Sequence, residues 1–209
     1  MKRLLCISFL FVAGCESKRP HPAAAAPVSL PNGYQAVALD GATAGLPGDW
    51  KPSDLKQLDS QPTDMSGDPG KAMPGVCRNA LSMFIETGDQ GVVATPPSGA
   101  GVISLATHLR RDAVVASDAA RDFANSIDRS PLHTGAAATQ EPTTLGGKPA
   151  VKIIGHLNGS STGDASQELI VIAIIGSSDK VEWRVVSVSP NSESLPVDDI
   201  AATWKASGE

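Results

Sequence analysis

Four strand-length segments close this chain in quick succession, and the short links between them restrict its fold more than any other feature. The segments are Ala136 to Thr144, Ala150 to Leu157, Glu168 to Ile175 and Val181 to Val188. Gly146-Gly147 separates the first pair and Ser177-Ser178-Asp179 the last, while Asn158 to Ser166 is a polar loop. A parallel crossover takes a dozen or more residues, so links this short predict antiparallel hairpins. Ahead of the strands the period changes. Ala120, Phe123, Ala124 and Ile127 recur at i, i+3, i+4 and i+7, one face of a helix. Ser117 is placed to cap that helix, and Asp118 suits its positive end. Pro196 and Asp198-Asp199 open a terminal helix with Val197, Ile200, Ala201 and Trp204 along one side. Helices beside a run of antiparallel strands predict an α+β domain: a central antiparallel sheet with helices packed on its faces.

The earlier part of the domain reads less regularly. Tyr34 to Leu39 and Thr43 to Leu46 are strand candidates joined by the turn pair Asp40-Gly41. Residues 51 to 75 are rich in Pro, Asp, Ser and Gly and read as a long loop with one helical turn around Ser53 to Leu58. Arg78 to Glu86 alternates in a way that suggests a strand buried on both faces. Gly88 to Gly101 reads as loop and Val102 to Leu109 as strand. Residues 33–209 are long enough for one domain with one core. Aromatics are few, which argues against a stacking surface for sugars or single strands. Trp183 and Trp204 are expected in a common core.

The N-terminus has a different character. Lys2 and Arg3 precede the apolar run Leu4 to Val12, then the small residues Ala13-Gly14, then Cys15. This order resembles the lipobox of bacterial lipoprotein signal peptides. The resemblance implies that residues 1–14 are removed and that Cys15 is acylated and becomes the first mature residue. The alternative is an ordinary secretory signal cleaved near Ala23 to Ala26. The apolar run is too short to span a bilayer. Residues 16–32 hold four prolines and an alanine run, which reads as a tether. In an extended polyproline form it would reach roughly 50 Å. The expected organisation is therefore a signal peptide over 1–14, a lipidated Cys and Pro/Ala-rich tether over 15–32, and a globular domain over 33–209. Glu16, in place of Asp after the acylated Cys, points to the outer membrane under enterobacterial sorting.

Acidic residues outnumber basic ones, 22 to 17, and losing Lys2 and Arg3 with the signal makes the remainder more acidic. Such a chain is a poor candidate for binding nucleic acid, where the phosphate backbone dominates affinity. Cys6 lies in the signal and Cys15 in the lipobox, so the mature chain keeps only Cys77 and has no intramolecular disulfide. Cys77 reads as a small buried hydrophobe, or as a thiol for an intermolecular bridge. With any histidine it is also the one candidate nucleophile, although a catalytic thiol needs an electropositive, partly exposed setting. His108, His133 and His156 lack metal-ligand spacing, and His108 and His156 could meet only if the sheet register allows it. Gly146-Gly147-Lys148 fails as a phosphate loop, because Pro142 and Pro149 stand where Gly and Ser or Thr are needed. Asp198-Asp199 is explained by the helix dipole.

The order of elements resembles the PsbP-like superfamily, which includes DcrB-like envelope lipoproteins. The resemblance rests on Leu46-Pro47-Gly48-Asp49-Trp50 after a strand and on the helix Ser117 to Asp128. Leu145-Gly146-Gly147-Lys148-Pro149-Ala150 leads into the closing strands and the last helix. It covers roughly residues 33 to 206. The chain departs from the pattern in its long segment between Trp50 and Arg78 and in having Trp204 in the closing helix. The resemblance implies a central antiparallel sheet with helices on both faces, and a protein-binding role without a shared catalytic site. The expected function is a membrane-anchored, non-enzymatic interaction module of the bacterial envelope that needs no cofactor or metal. It would attach to the membrane through Cys15 and face an envelope protein, with the 51–75 loop in the contact surface. The alternative is a small-molecule or metal-binding periplasmic lipoprotein, with a hydrolase third.

Overall fold

A computed structural model describes residues 30–60, 63–64, 73–159 and 168–207. In chain order the elements are β1 (Tyr34–Leu39), β2 (Ala42–Pro47), β3 (Lys51–Asp54), a 3-10 helix (Leu55–Ser60), β4 (Thr63–Asp64), β5 (Met73–Pro74) and α1 (Gly75–Ser82). They continue with β6 (Gln90–Thr95), β7 (Val102–Leu109), α2 (Ala116–Asp128), β8 (Thr139–Leu145), β9 (Lys148–Asn158) and β10 (Glu168–Ser178). β11 (Val181–Pro190), α3 (Val197–Ala202) and β12 (Lys205–Ala206) complete the fold. The main sheet has seven strands in the order β3-β6-β7-β11-β10-β9-β8, and every neighbouring pair in it is antiparallel. The predicted α+β class, a central antiparallel sheet with helices on its faces, is the architecture the chain forms.

Strand pleating divides the side chains between two cores. On β11, Val186 and Val188 point to one face, and Trp183 and Val185 to the other. The first face is covered by α1 and α2, which insert Cys77, Leu81, Phe123 and Ile127 against Ile153, Val171 and Ile175. Gly155 on β9 permits the close seat of α2, because a Cβ there would lie 2.7 Å from the Ile127 side chain. The second face carries α3 and a small sheet of order β1-β2-β12. The layer on that face is therefore sheet and helix together, where the sequence predicted helix alone.

Trp183 and Trp204 meet in this second core at 3% and 2% exposure, with ring centroids 6.5 Å apart. The β8–β9 turn docks on the same place. Gly146 has φ +59°, donates its N–H to the Ala201 carbonyl at 2.9 Å, and would place a Cβ 2.0 Å from the Trp204 carbonyl oxygen. Only glycine fits that backbone conformation and that approach.

Several expectations need correction. Arg78 to Glu86 is not a strand: its first half belongs to α1, where Cys77, Ala80 and Leu81 are buried at helical spacing. The presumed loop Gly88 to Gly101 contains β6, which pairs with β7. The presumed loop 51–75 begins with β3, an edge strand on β6, and continues with a 3-10 helix that buries Leu55 and Leu58. Residues 61–62 and 65–72 of that segment lie outside the described residues. Ser117 does not cap α2; the N-cap is Val115, in extended geometry and without a side-chain cap bond. α3 ends at Ala202, so Trp204 follows the helix and leads into β12.

Trp204 closes the second core from outside any long element, and its burial is what fixes the C-terminus there. Trp204→Ala is expected to lower the unfolding free energy by roughly 3–5 kcal/mol, read by urea denaturation. Unchanged stability would show that the terminal segment contributes no packing.

Candidate functional site

The pleat that sorts apolar residues between the two cores also brings charges together at one end of the sheet. Glu182 and Arg184, two apart on β11, share the α2 face with Val186. Antiparallel pairing sets His108 of β7 opposite Glu182, and Arg110 follows just past the end of β7. The turn after α1 supplies Glu86 and Asp89. Six titratable groups from three distant stretches of chain thus meet on one surface.

Their contacts form a continuous network. Glu182 has no exposed side-chain surface and accepts hydrogen bonds from Arg184 Nε and, at 2.9 Å, from Arg110 Nε. Arg110 also donates to both oxygens of Glu86, at 3.0 and 3.1 Å. Arg184, only 5% exposed, donates Nη2 to Glu86 at 2.5 Å and Nη1 to the Phe84 carbonyl at 3.3 Å. Asp89 lies 2.6 Å from His108 Nδ1 and accepts the Glu86 backbone N–H at 2.8 Å.

The electrostatics follow from these contacts. Burial alone would raise the Glu86 pKa, but the Arg184 hydrogen bond and charge, followed by Arg110, outweigh it and hold this carboxyl below its ordinary range. Burial alone would lower the Arg184 pKa; Glu182, then Glu86, over-compensate and raise it. Buried charge is tolerated when it is paired and hydrogen-bonded, and removing one partner strands the other.

Two predictions follow from this arrangement. Glu182→Ala leaves the buried Arg184 without its main partner and is expected to destabilise the fold by roughly 3–5 kcal/mol, measured by denaturant titration. A variant as stable as the parent would mean that the network is decorative. The second concerns acid. Because the folded-state pKa of Glu86 is depressed, its contribution to stability is present above the unfolded value of about 4.3 and is lost as pH falls through the lower folded value. Thermal transitions measured from pH 5 downward should therefore fall less steeply in Glu86→Gln than in the parent chain.

Outside the network the same end of the sheet opens into a cleft of about 430 Å³ between α2 and the loop after β7. Its outer wall carries Arg111, Asp112, Asp118 and Asp122, with Met83 and Val115 at its margin. Met83 and Val115 are 40% and 56% exposed, an unusual state for large apolar side chains in this fold. A second cavity, beneath Leu30, Pro31, Tyr34 and Thr203, lies on the other face of the sheet, where the described chain begins.

The residues singled out by sequence scatter widely. Cys15 and Cys6 lie outside the described residues. Cys77 is buried in the α1–α2 core, and burial pushes its thiol up to about 12, so it is neither thiolate nor accessible at neutral pH. His108 belongs to the network. His156 lies on β9 beside Glu168, on the opposite face and three strands away, so the two do not meet. His133 contacts Asp128 and the Ala136 carbonyl. Among the described residues no group of three His, Cys, Asp or Glu side chains could hold a metal ion. Asp198 bonds Lys152 at 2.6 Å, and both it and Asp199 sit in the first turn of α3. Sequence reading missed Glu86, Arg110, Glu182 and Arg184. The available signal was local: Glu-x-Arg and His-x-Arg place charges on one face of strands otherwise built to be buried.

No known protein-family profile matches the chain, and no curated protein matches it. Among solved structures the chain is similar to cyanobacterial PsbP from Synechocystis sp. PCC 6803, at 13% identity and a TM-score of 0.48, covering 89% of this chain and 99% of that one. It is also similar to a protein from Bacteroides thetaiotaomicron, at 11% identity and a TM-score of 0.41. That match covers 81% of this chain but 46% of the other, so the chain spans less than half of that protein's length. At these identities neither likeness speaks to the chemistry of the site.

Proposed function

We propose that this chain is a bacterial envelope lipoprotein, held to a membrane through acylated Cys15, whose domain is a non-enzymatic protein-interaction module. The cleft carries the binding half of this reading: exposed large apolar side chains coincide there with an acidic wall. Met83 and Val115 stand at the margin of one cleft, and apolar surface gathered in one place, unlike singly scattered side chains, is what marks an interaction site. The deep burial of Cys77 supports a structural role for that thiol. The anchor half rests on the order of Lys2-Arg3, the apolar run and Ala13-Gly14-Cys15. Among the described residues no helix is long and apolar enough to cross a membrane. A Pro- and Ala-rich tether would hold the domain near a surface while leaving it free to search, which raises its effective concentration for a partner there.

A second reading draws on the cleft volume, which lies in the range of small-molecule sites. Under that reading the domain would carry a small cationic ligand in the cleft, and equilibrium dialysis against small amines would detect it.

The anchor is tested by Cys15→Ser, which is expected to abolish acyl labelling and move the protein out of the membrane fraction. Normal labelling in that variant would sink the anchor. The binding half is tested by chemical crosslinking of the native protein in its own envelope. A discrete adduct with another protein is expected, and its absence across several crosslinker lengths would count against an interaction module.

A further inference from the structure

We infer that the cleft between α2 and the charged end of the sheet docks a partner polypeptide segment that presents a basic side chain next to an apolar one. This rests on the reading of the chain as a binding module and specifies what the module binds. Five carboxylates line the cleft, from Glu86, Asp112, Asp118, Asp122 and Glu182, against the guanidinium groups of Arg110, Arg111 and Arg184. Two of those three cations are already committed; the third, Arg111, is exposed and has no ion pair among the described residues. Arg110 uses Nε, Nη1 and Nη2 on Glu182 and Glu86, and Arg184 uses its three nitrogens on Glu182, Phe84 and Glu86. Neither presents an open fork to an incoming anion. The positive end of α2 also lines the cleft, and Asp118 in its first turn answers it.

The carboxylates are less fully engaged. Asp118 pairs with Arg121 at 3.0 Å, whereas Asp112 and Asp122 are exposed and have no ion pair among the described residues. Arg111 offsets one of these two carboxylates, so the unspent charge of the wall is still negative, by about one, and the chain as a whole is acidic. Both features favour encounter with a cationic partner and disfavour an anionic lipid surface.

The apolar half of the ligand follows from Met83 and Val115. Among the described residues only they and Leu109 are large apolar side chains with this much exposure, and Leu109 points from the opposite face of β7. Two of these three exposed apolar side chains thus stand beside the unpaired carboxylates. Methionine adapts its shape to a partner. The cleft volume accommodates side chains, not a packed helix. A segment that alternates basic and apolar residues would satisfy both walls at once.

The test uses purified full-length protein and three fluorescein-labelled Gly-Ser decapeptides with central Arg-Leu-Arg, Arg-Ser-Arg or Glu-Leu-Glu, read by fluorescence anisotropy. Arg-Leu-Arg is expected to bind, to weaken as salt is raised, and to bind about tenfold more tightly than Arg-Ser-Arg. The double variant Asp112→Lys with Asp122→Lys should lose about tenfold or more in affinity with an unchanged thermal transition. Met83→Ser with Val115→Ser should abolish the preference for Leu over Ser. Equal or stronger binding of Glu-Leu-Glu would overturn the inference. So would no binding of Arg-Leu-Arg up to millimolar protein, unaltered affinity in the charge-reversed variant, or competition by spermidine as effective as the peptide itself. None of those results touches the interaction-module reading, which stands or falls on the envelope crosslinking.

Discussion

β11 is the strand on which the rest of the structure depends. It is buried from Glu182 to Pro190, hydrogen-bonded to β7 on one side and β10 on the other, and covered on both faces. From Val181 to Val188 its backbone is paired on both sides, so there its side chains decide what packs above and below. Val186 and Val188 seed the core under α1 and α2, and Trp183 and Val185 seed the core under α3 and the small sheet. A one-residue slip would exchange the two sets and bring Glu182 and Arg184 into the tryptophan core. The buried ion pair therefore opposes slippage as well as anchoring the site. Such polar devices contribute more to register than to net stability, because desolvating the charges offsets much of their attraction.

The ends of the sheet are handled differently. Its two edge strands, β3 and β8, each contain a proline, Pro52 and Pro142. Proline cannot donate to a ladder and is tolerated at an edge, where it discourages pairing with another chain. β8 is also almost wholly polar and exposed, so it offers no apolar strip for augmentation. Beyond its ladder to β9, β8 is held to the domain by its last residue and its turn: Leu145 is buried, and Gly146 docks against Ala201 and Trp204. Neither edge of the sheet is then built to accept an added strand.

The closing hairpins were legible in the sequence because strand period and turn chemistry agree there, and each constraint is local. α2 was legible for the same reason at a period of 3.6. α1 was not. It spans eight residues, too few for the helical period to outweigh the accidental alternation of Leu81, Met83 and Ile85 across its end. β6 and β3 were missed because they are short, lie toward one side of the sheet and include Gly91 and Pro52, residues that read as loop. The cleft was illegible for another reason. Arg110 and Glu182 are 72 positions apart, and Glu86 and Arg184 are 98 apart, so no window of sequence contains the network. Only its local shadow was visible, as charged residues two apart on strands of otherwise buried character.

The two faces of the sheet also separate the two halves of the proposed function. The described chain begins at Leu30, which lies against Gly45 of β2 and Thr203 after α3, on the face opposite the cleft. With Cys15 as the anchor, the tether leaves from one face while the cleft, with Met83, Val115 and its unpaired carboxylates, opens on the other. Anchor and partner then need not compete for the same surface. The acidic wall would also be repelled by anionic headgroups, which gives the tethered domain an electrostatic reason to hold the cleft away from the membrane. The repulsion acts within about a Debye length, near 8 Å at physiological salt. Beyond that distance, under the proposed anchor, tether length would set how far the cleft could search. Under the proposed anchor, orientation and reach would thus be set by separate parts of the chain: charge on the folded domain for the first, and the expected 15–32 tether for the second.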